Sequence, residues 1–230
     1  MMTKTHNNIL YDIFHTIFPR RCLLCNNILT ENEHNICTRC QSLYPYPTDI
    51  NLDDFFAPLS AYIQDICVFS YYTYAKKSIL QFKFYENIHK GKALSRLLSQ
   101  KLSTLPWIDD VDIIVPVPLH KKKLRQRGFN QCDVISKTIA DNLNKTFLPN
   151  NLVRVINTKE QHKSNVDQRY ENMRNAFSVL DPTLFENKTI LLVDDVITTC
   201  STMFECCKVL SKCNNIRIYV ACLASDRISI

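Results

Sequence analysis

A chain of 230 residues with 46% hydrophobic residues can bury one full α/β core and carry a small appended unit. Its net charge of +6, with a pI near 8.7, is spread over several segments rather than gathered in a tail, which suits phosphate-bearing ligands and nucleic acid alike. Two glycines, Gly91 and Gly128, are too few for any glycine-rich nucleotide loop. No run approaches the roughly 20 apolar residues that cross a bilayer, and the polar start does not have the form of a signal peptide. A cytoplasmic protein without membrane insertion is expected. The eleven cysteines fit this: the count is odd and most lie in apolar runs, as reduced thiols rather than a disulfide framework.

In chain order, Ile9, Leu10, Ile13, Phe14, Ile17 and Phe18 recur at helical spacing up to Pro19. Two C-x2-C pairs follow, Cys22/Cys25 and Cys37/Cys40, separated by eleven residues. Each pair can put two thiolates on one metal through a tight turn. Together they complete the closed four-sulfur shell of a structural zinc site, which staples a segment too short to bury a core. Arg20, Arg21 and Arg39 either offset the thiolate charge or touch nucleic acid. Residues 44–58 hold three prolines and three aspartates, break both periodicities and read as a linker. The expected division is a helix, zinc module and linker over 1–58, and a second domain over 59–230.

That second domain opens with a strand, ICVFSYY, and two helices, AKKSILQFKFY and GKALSRLLSQKLS. Next come a strand DIIVPVP, a helix FNQCDVISKTIADNLN and a strand LVRVI. After a polar stretch follow strands NAFSVL and TILLVDD, a helix CSTMFECCKVLSKC and a strand IRIYVACLAS. Such alternation predicts an α/β fold with a parallel sheet flanked by crossover helices.

Chemistry is expected beyond the strand ends. Asp194 and Asp195 follow an apolar strand and precede a hydroxyl run, Thr198, Thr199, Ser201 and Thr202, which opens a helix. Free amides at a helix start favour phosphate, and neighbouring acids favour a sugar diol, so a sugar 5-phosphate fits. An acidic cap ahead of an ordinary helix start stays open as the plainer reading. The string V-D-D-V-x-T-T-x-x-T resembles the PRPP-binding motif of type I phosphoribosyltransferases, in which PRPP is 5-phosphoribosyl-1-pyrophosphate. The resemblance implies that Asp194 and Asp195 hold ribose hydroxyls while residues 198–202 hold the 5-phosphate. Cys200 stands where that family usually has glycine; a positive φ there costs on the order of 1 kcal/mol.

Upstream, Pro116, Val117 and Pro118 end a buried strand rigidly ahead of Lys121, Lys122, Lys123, Arg125 and Arg127. These cations either bind pyrophosphate or line a solvated helix face. V-P-V-P-L-H followed by R-x-R-G-F-N-Q is similar to the signature of the ComF family, phosphoribosyltransferase-like proteins associated with competence and DNA uptake. Arg154, Thr158, Gln161, Arg169, Asn172 and Phe177 fall at that family's intervals, with Gln161 and Arg169 as contacts made on loop closure. Lys83 fits the pattern too, as a pyrophosphate contact or a surface lysine. The aromatics Tyr71, Tyr72, Tyr74, Phe82, Phe84 and Tyr85 read as core, with base stacking as the alternative. The resemblance implies a type I phosphoribosyltransferase-like domain behind an N-terminal zinc module, with Mg²⁺ accompanying PRPP and pentosyl transfer as the reaction. A second expectation, from a different class, is a non-catalytic adaptor that contacts single-stranded DNA or a helicase-like partner.

Overall fold

In the computed structural model, residues 18–43, 47, 50–84, 87–156 and 173–228 are described, and the chain divides into two units, Met1–Pro45 and Tyr46–Ile230. The helix expected over residues 9–18 falls almost wholly outside the described residues.

In the first unit Arg21 and Ile28 form an antiparallel bridge around a turn in which Asn26 takes φ 66°. Helix α1 (Thr38–Leu43) follows. Glu33 ties the two segments together: its carboxylate accepts from Thr30 N at 2.8 Å and Thr30 Oγ1 at 3.1 Å, and from the amide and, at 2.8 Å, the hydroxyl of Thr38. Those donors hold its carboxyl down at about 2.

The second unit begins earlier than the linker reading allows. Residues expected to be aperiodic form helix α2 (Leu52–Ser60), capped by Asn51 through Asp53 N and Asp54 N. Pro58 is accommodated by a kink at Phe56, where φ is −131° and ψ is 30°. Phe56 and Leu59 are fully buried in the main core, so burial of two large side chains outweighs the prolines.

Strand β1 (Asp65–Tyr71) passes directly into helix α3 (Tyr72–Phe84), and helix α4 (Ile88–Leu102) leads to strand β2 (Ile113–Pro116). A Cβ on Gly91 would lie 2.3–2.6 Å from ring carbons of Phe82, so this glycine lets α4 seat against α3. The basic run forms a short helix α5 (Lys121–Arg127) with no buried residue, closed by Gly128 at φ 79°. Helix α6 (Gln131–Leu143) and strand β3 (Thr146–Phe147) follow.

Strands β4 (Leu152–Arg154) and β5 (Phe177–Val179) pair antiparallel in a ribbon of their own, not in the parallel sheet. Strand β6 (Thr189–Ile197), helix α7 (Ser201–Leu210) and strand β7 (Arg217–Ser225) complete the domain. The main sheet runs β1-β7-β6-β2-β3, with every pairing parallel.

The order sets the faces. The crossover β2–α6–β3 runs away from β6, whereas β6–α7–β7 runs toward β1, so right-handed connections put α6 and α7 on opposite faces. Helices α3 and α4 share the α6 face; α2 packs with α7. Alternation along β6 turns Ile190 and Leu192 into the α2–α7 core. Strands β2 and β6 are the neighbours whose connections depart in opposite directions, so the crevice at their C-terminal ends is the switch point where ligands gather in open α/β sheets. Among the described residues no helix is long and apolar enough to cross a membrane.

Candidate functional site

Strand β2 stops at Pro116, and Val117 N makes the next bond, 2.9 Å to Val193 O, while β6 continues against β7 to Ile197. Asp194 and Asp195 are therefore inside a strand, one step past the end of their neighbour. This corrects the picture of two carboxylates facing one ligand together, because successive residues of a strand point to opposite faces. Asp194 continues the line of Ile190 and Leu192 on the α7 face. Asp195, 6% exposed, turns to the α3 face, where the Lys83 ammonium lies 2.8 Å from Oδ2 and 3.1 Å from Oδ1.

Asp194 Oδ1 accepts from the Asp195 amide at 2.8 Å and from Cys132 Sγ at 3.3 Å. Burial first, then the charge of Asp195, push its carboxyl up to about 6 against the opposing pull of Lys83. Burial works to lower the Lys83 ammonium, but Asp195, with Asp194 and Cys132 behind it, outweighs that and holds it above the usual lysine range. Lys83, read from sequence as either a pyrophosphate contact or a surface lysine, is thus held by an aspartate.

The turn from β6 into α7 makes a cup of hydroxyl side chains at the helix start. Cys200 takes the left-handed conformation, φ 64° and ψ −10°, and caps α7 without a side-chain hydrogen bond. The first helical bond there is Phe204 N to Cys200 O at 2.7 Å, which leaves the opening amides free of helical partners. Thr199 Oγ1 and Ser201 Oγ lie 3.0 Å apart; Thr198, Thr199 and Thr202 are half-buried. The Cys200 thiol packs into the core, 3% exposed, and burial pushes its pKa up to about 11. It neither blocks the cup nor acts as an activated thiol, and the strain its φ implies is offset by that packing.

Pro116 and Val117 are buried and Pro118 half-buried. Val117 O accepts from Asn130 Nδ2 at 3.2 Å, while Asn130 Oδ1 caps α6 through Cys132 N at 3.2 Å and Nδ2 also reaches Asp133 Oδ1 at 2.7 Å. The head of α6 is thereby fixed to the end of β2, bringing Cys132 to Asp194. Sequence reasoning left Asn130, Gln131 and Cys132 out of the site. The signal was a polar Asn-Gln pair at a helix start beside a strand end. Gln131 is 1% exposed, and its Nε2 has no partner among the described residues.

Other expected residues are placed differently. Arg125 is exposed, and the Arg127 guanidinium lies over the Phe84 ring at 5.4 Å; neither contacts the aspartates. Phe82 is fully buried and packs at 5.8 Å on Phe129, and Tyr71 meets Tyr74 edge-on, so packing is what these rings do; Phe84, 61% exposed, is the exception. Arg154 lies over Phe177 at 5.5 Å within the β4–β5 ribbon. Tyr85, Thr158, Gln161, Arg169 and Asn172 lie outside the described residues.

In the first unit the sulfurs of Cys22, Cys25, Cys37 and Cys40 all lie within 4.8 Å of one another, with Cys25 and Cys37 3.6 Å apart. Backbone amides point at them: Cys37 N at Cys22 Sγ and Cys40 N at Cys37 Sγ, both 3.4 Å. Burial would raise the Cys22 thiol, yet the amides aimed at it bring it down to about 7. Four converging thiols supported by N–H donors fit a thiophilic ion in a closed shell.

The phosphoribosyl transferase domain family matches residues 131–229, from the head of α6 through β7. Over 194 residues the chain is 30% identical to the DNA utilization protein YhgH of Salmonella typhi, covering 81% of this chain and 76% of that protein. It is 28% identical over 216 residues to Competence protein F of Haemophilus influenzae, covering 85% and 92%. It is 25% identical over 147 residues to Competence protein ComFC of Bacillus subtilis, covering 61% and 55%. The parallel sheet flanked by helices is that of a type I phosphoribosyltransferase-like domain.

Proposed function

The chain belongs to the ComF family of phosphoribosyltransferase-like proteins, and from that premise we propose that it binds PRPP with Mg²⁺ at the β2–β6 crevice and serves DNA uptake from the cytoplasm. The observation that carries the reading is one arrangement: an ionisable carboxylate, Asp194, on the same sheet face as an uncapped helix start lined by Thr198, Thr199, Ser201 and Thr202. The cup takes the 5-phosphate through its amides and hydroxyls. Asp194 accepts from the ribose hydroxyls, and Asp195 acts from the opposite face as part of the local charge. In pentosyl transfer the ribose ring gains positive charge as pyrophosphate leaves, and a carboxylate fixed beside it in a part-buried setting stabilises that charge. Mg²⁺, held mainly through substrate oxygens, would offset charge on the pyrophosphate. Arg125, Arg127 and the segment holding Gln161 and Arg169 are the proposed contacts for that leaving group. Cys22, Cys25, Cys37 and Cys40 would hold a structural zinc ion.

The test is pyrophosphate release from Mg·PRPP offered a panel of nucleobases, amines and single-stranded DNA. Release with one acceptor class, lost on Asp194→Asn, supports the transferase. The relatives are named for competence and DNA utilization, which motivates a second reading that we propose, a non-catalytic adaptor for single-stranded DNA or a helicase-like partner. The adaptor reading expects DNA uptake to survive Asp194→Asn yet fail in Cys22→Ser, and direct DNA binding to weaken steeply with salt.

A further inference from the structure

Lys83 comes from helix α3, 112 residues away in sequence from the aspartate it holds, and no step proposed above uses it. Its ammonium contacts both oxygens of Asp195, at 2.8 and 3.1 Å, and that pair is mostly withdrawn from water, with side chains 25% and 9% exposed. Asp194, on the other face, has one oxygen engaged by the Asp195 amide and the Cys132 thiol. Its second oxygen has no hydrogen bond among the described residues.

We propose that Lys83 is a positioning residue: by taking both oxygens of Asp195 on the α3 face, it leaves Asp194 as the single carboxylate presented to the ligand on the α7 face. The ligand's identity rests on the phosphoribosyl reading above; the pairing rests on the distances. The charge of Asp195 makes Asp194 harder to ionise, and Lys83 opposes that effect. Among the described residues the other titratable neighbours are Cys132 of α6, Cys206 of α7 and Cys222 of β7, all thiols raised by burial, with Arg154 of β4 acting on Cys206. None of them replaces the ammonium.

The inference makes a prediction opposite in sign to that of a direct pyrophosphate contact. In Asp195→Asn the ammonium loses its partner, and its uncompensated charge, which already acts on Asp194, competes there with the ligand's hydroxyls. Deleting Lys83 in that background frees Asp194. Mg·PRPP affinity of Lys83→Met/Asp195→Asn should therefore exceed that of Asp195→Asn alone by about threefold or more, and Lys83→Arg, which keeps the pair, should bind within about threefold of wild type. If Lys83 touches pyrophosphate directly, the double variant is weaker than either single variant, and the proposal is overturned. Should Asp195→Asn not fold, the neutral double variant decides: binding supports the proposal and its absence overturns it.

Carboxyl ¹³C NMR of the aspartates supplies a readout independent of the ligand. In Lys83→Met the Asp194 carboxyl should take up its proton about one pH unit or more above wild type, and Lys83→Arg should restore the wild-type profile. An unchanged profile in Lys83→Met overturns the pairing whatever the ligand. Wild-type protein that binds no Mg·PRPP, but whose carboxyls shift as described, would sink the phosphoribosyl reading and leave the pairing supported.

Discussion

The four cysteines of the first unit converge within 4.8 Å and are met by backbone amides, whereas the seven of the second unit sit apart in its core, from Cys67 in β1 to Cys222 in β7. Burial lifts Cys67 to about 12 and Cys200 to about 11, and pushes Cys132, Cys206 and Cys222 well up; in the first unit it raises Cys37 and Cys40 as well, while the amides aimed at Cys22 bring that thiol down to about 7. Four thiols that converge can share an ion, whereas a thiol buried singly packs as a small apolar side chain, Cys132 against Asp194 excepted. The contrast predicts that the first unit draws its stability from a bound ion and the second from packing.

The largest effect that tests this contrast is metal removal. Chelation, or Cys40→Ser, should release zinc by mass spectrometry and collapse the dispersed NMR signals of residues 18–43, because ion binding there supplies on the order of 10–16 kcal/mol of folding free energy. The thermal transition of the second unit should persist; native signals from residues 18–43 after chelation would break the contrast.

The packing half predicts smaller, local losses. Gly91→Ala drives a methyl against Phe82, and Cys207→Ser buries a hydroxyl in the core. Each should cost about 1–3 kcal/mol in urea unfolding with zinc content unchanged. A neutral outcome for both would mean the core is looser than its burial implies.

Asp194 offers a pH signature. Its carboxyl takes a proton at about 6 in the fold against an ordinary value of 3.8, so between those values the native state binds more protons than the unfolded chain. Its contribution should therefore diminish stability as pH rises from about 4 to 6, by on the order of 1–2 kcal/mol once water access is counted. Wild type and Asp194→Asn compared across that window should differ in slope in this sense.

The smallest effect is expected at Cys200. Glycine removes strain at φ 64° and also removes a buried thiol, two terms near 1 kcal/mol each, so Cys200→Gly should unfold within about 1 kcal/mol of wild type. A large loss would show that the thiol does more than pack.

Much of this was legible in the residues. Strand β6 and helix α7 stand out because an apolar run meets a 3.6-residue pattern, and the cysteine spacing encodes its cluster outright. Helix α2 was hidden because Pro58 and the acids mask a pattern that appears only once Phe56 and Leu59 find the core. The split of the aspartates was in principle readable: period-2 alternation separates neighbours in any strand, but that β6 continues past Val193 depends on β7 pairing, which sequence alone does not give. The partner of Lys83, 112 residues distant, belongs to tertiary structure entirely.

The account turns on Asp194 and the head of α7 meeting one ligand, and titration calorimetry of Mg·PRPP into wild type and Asp194→Asn tests it most directly. The predicted result is saturable binding by wild type at pH 7, weakening as pH falls through about 6, and at least tenfold weaker binding by the variant with its thermal transition intact. No binding by wild type, or equal binding by both, would contradict it.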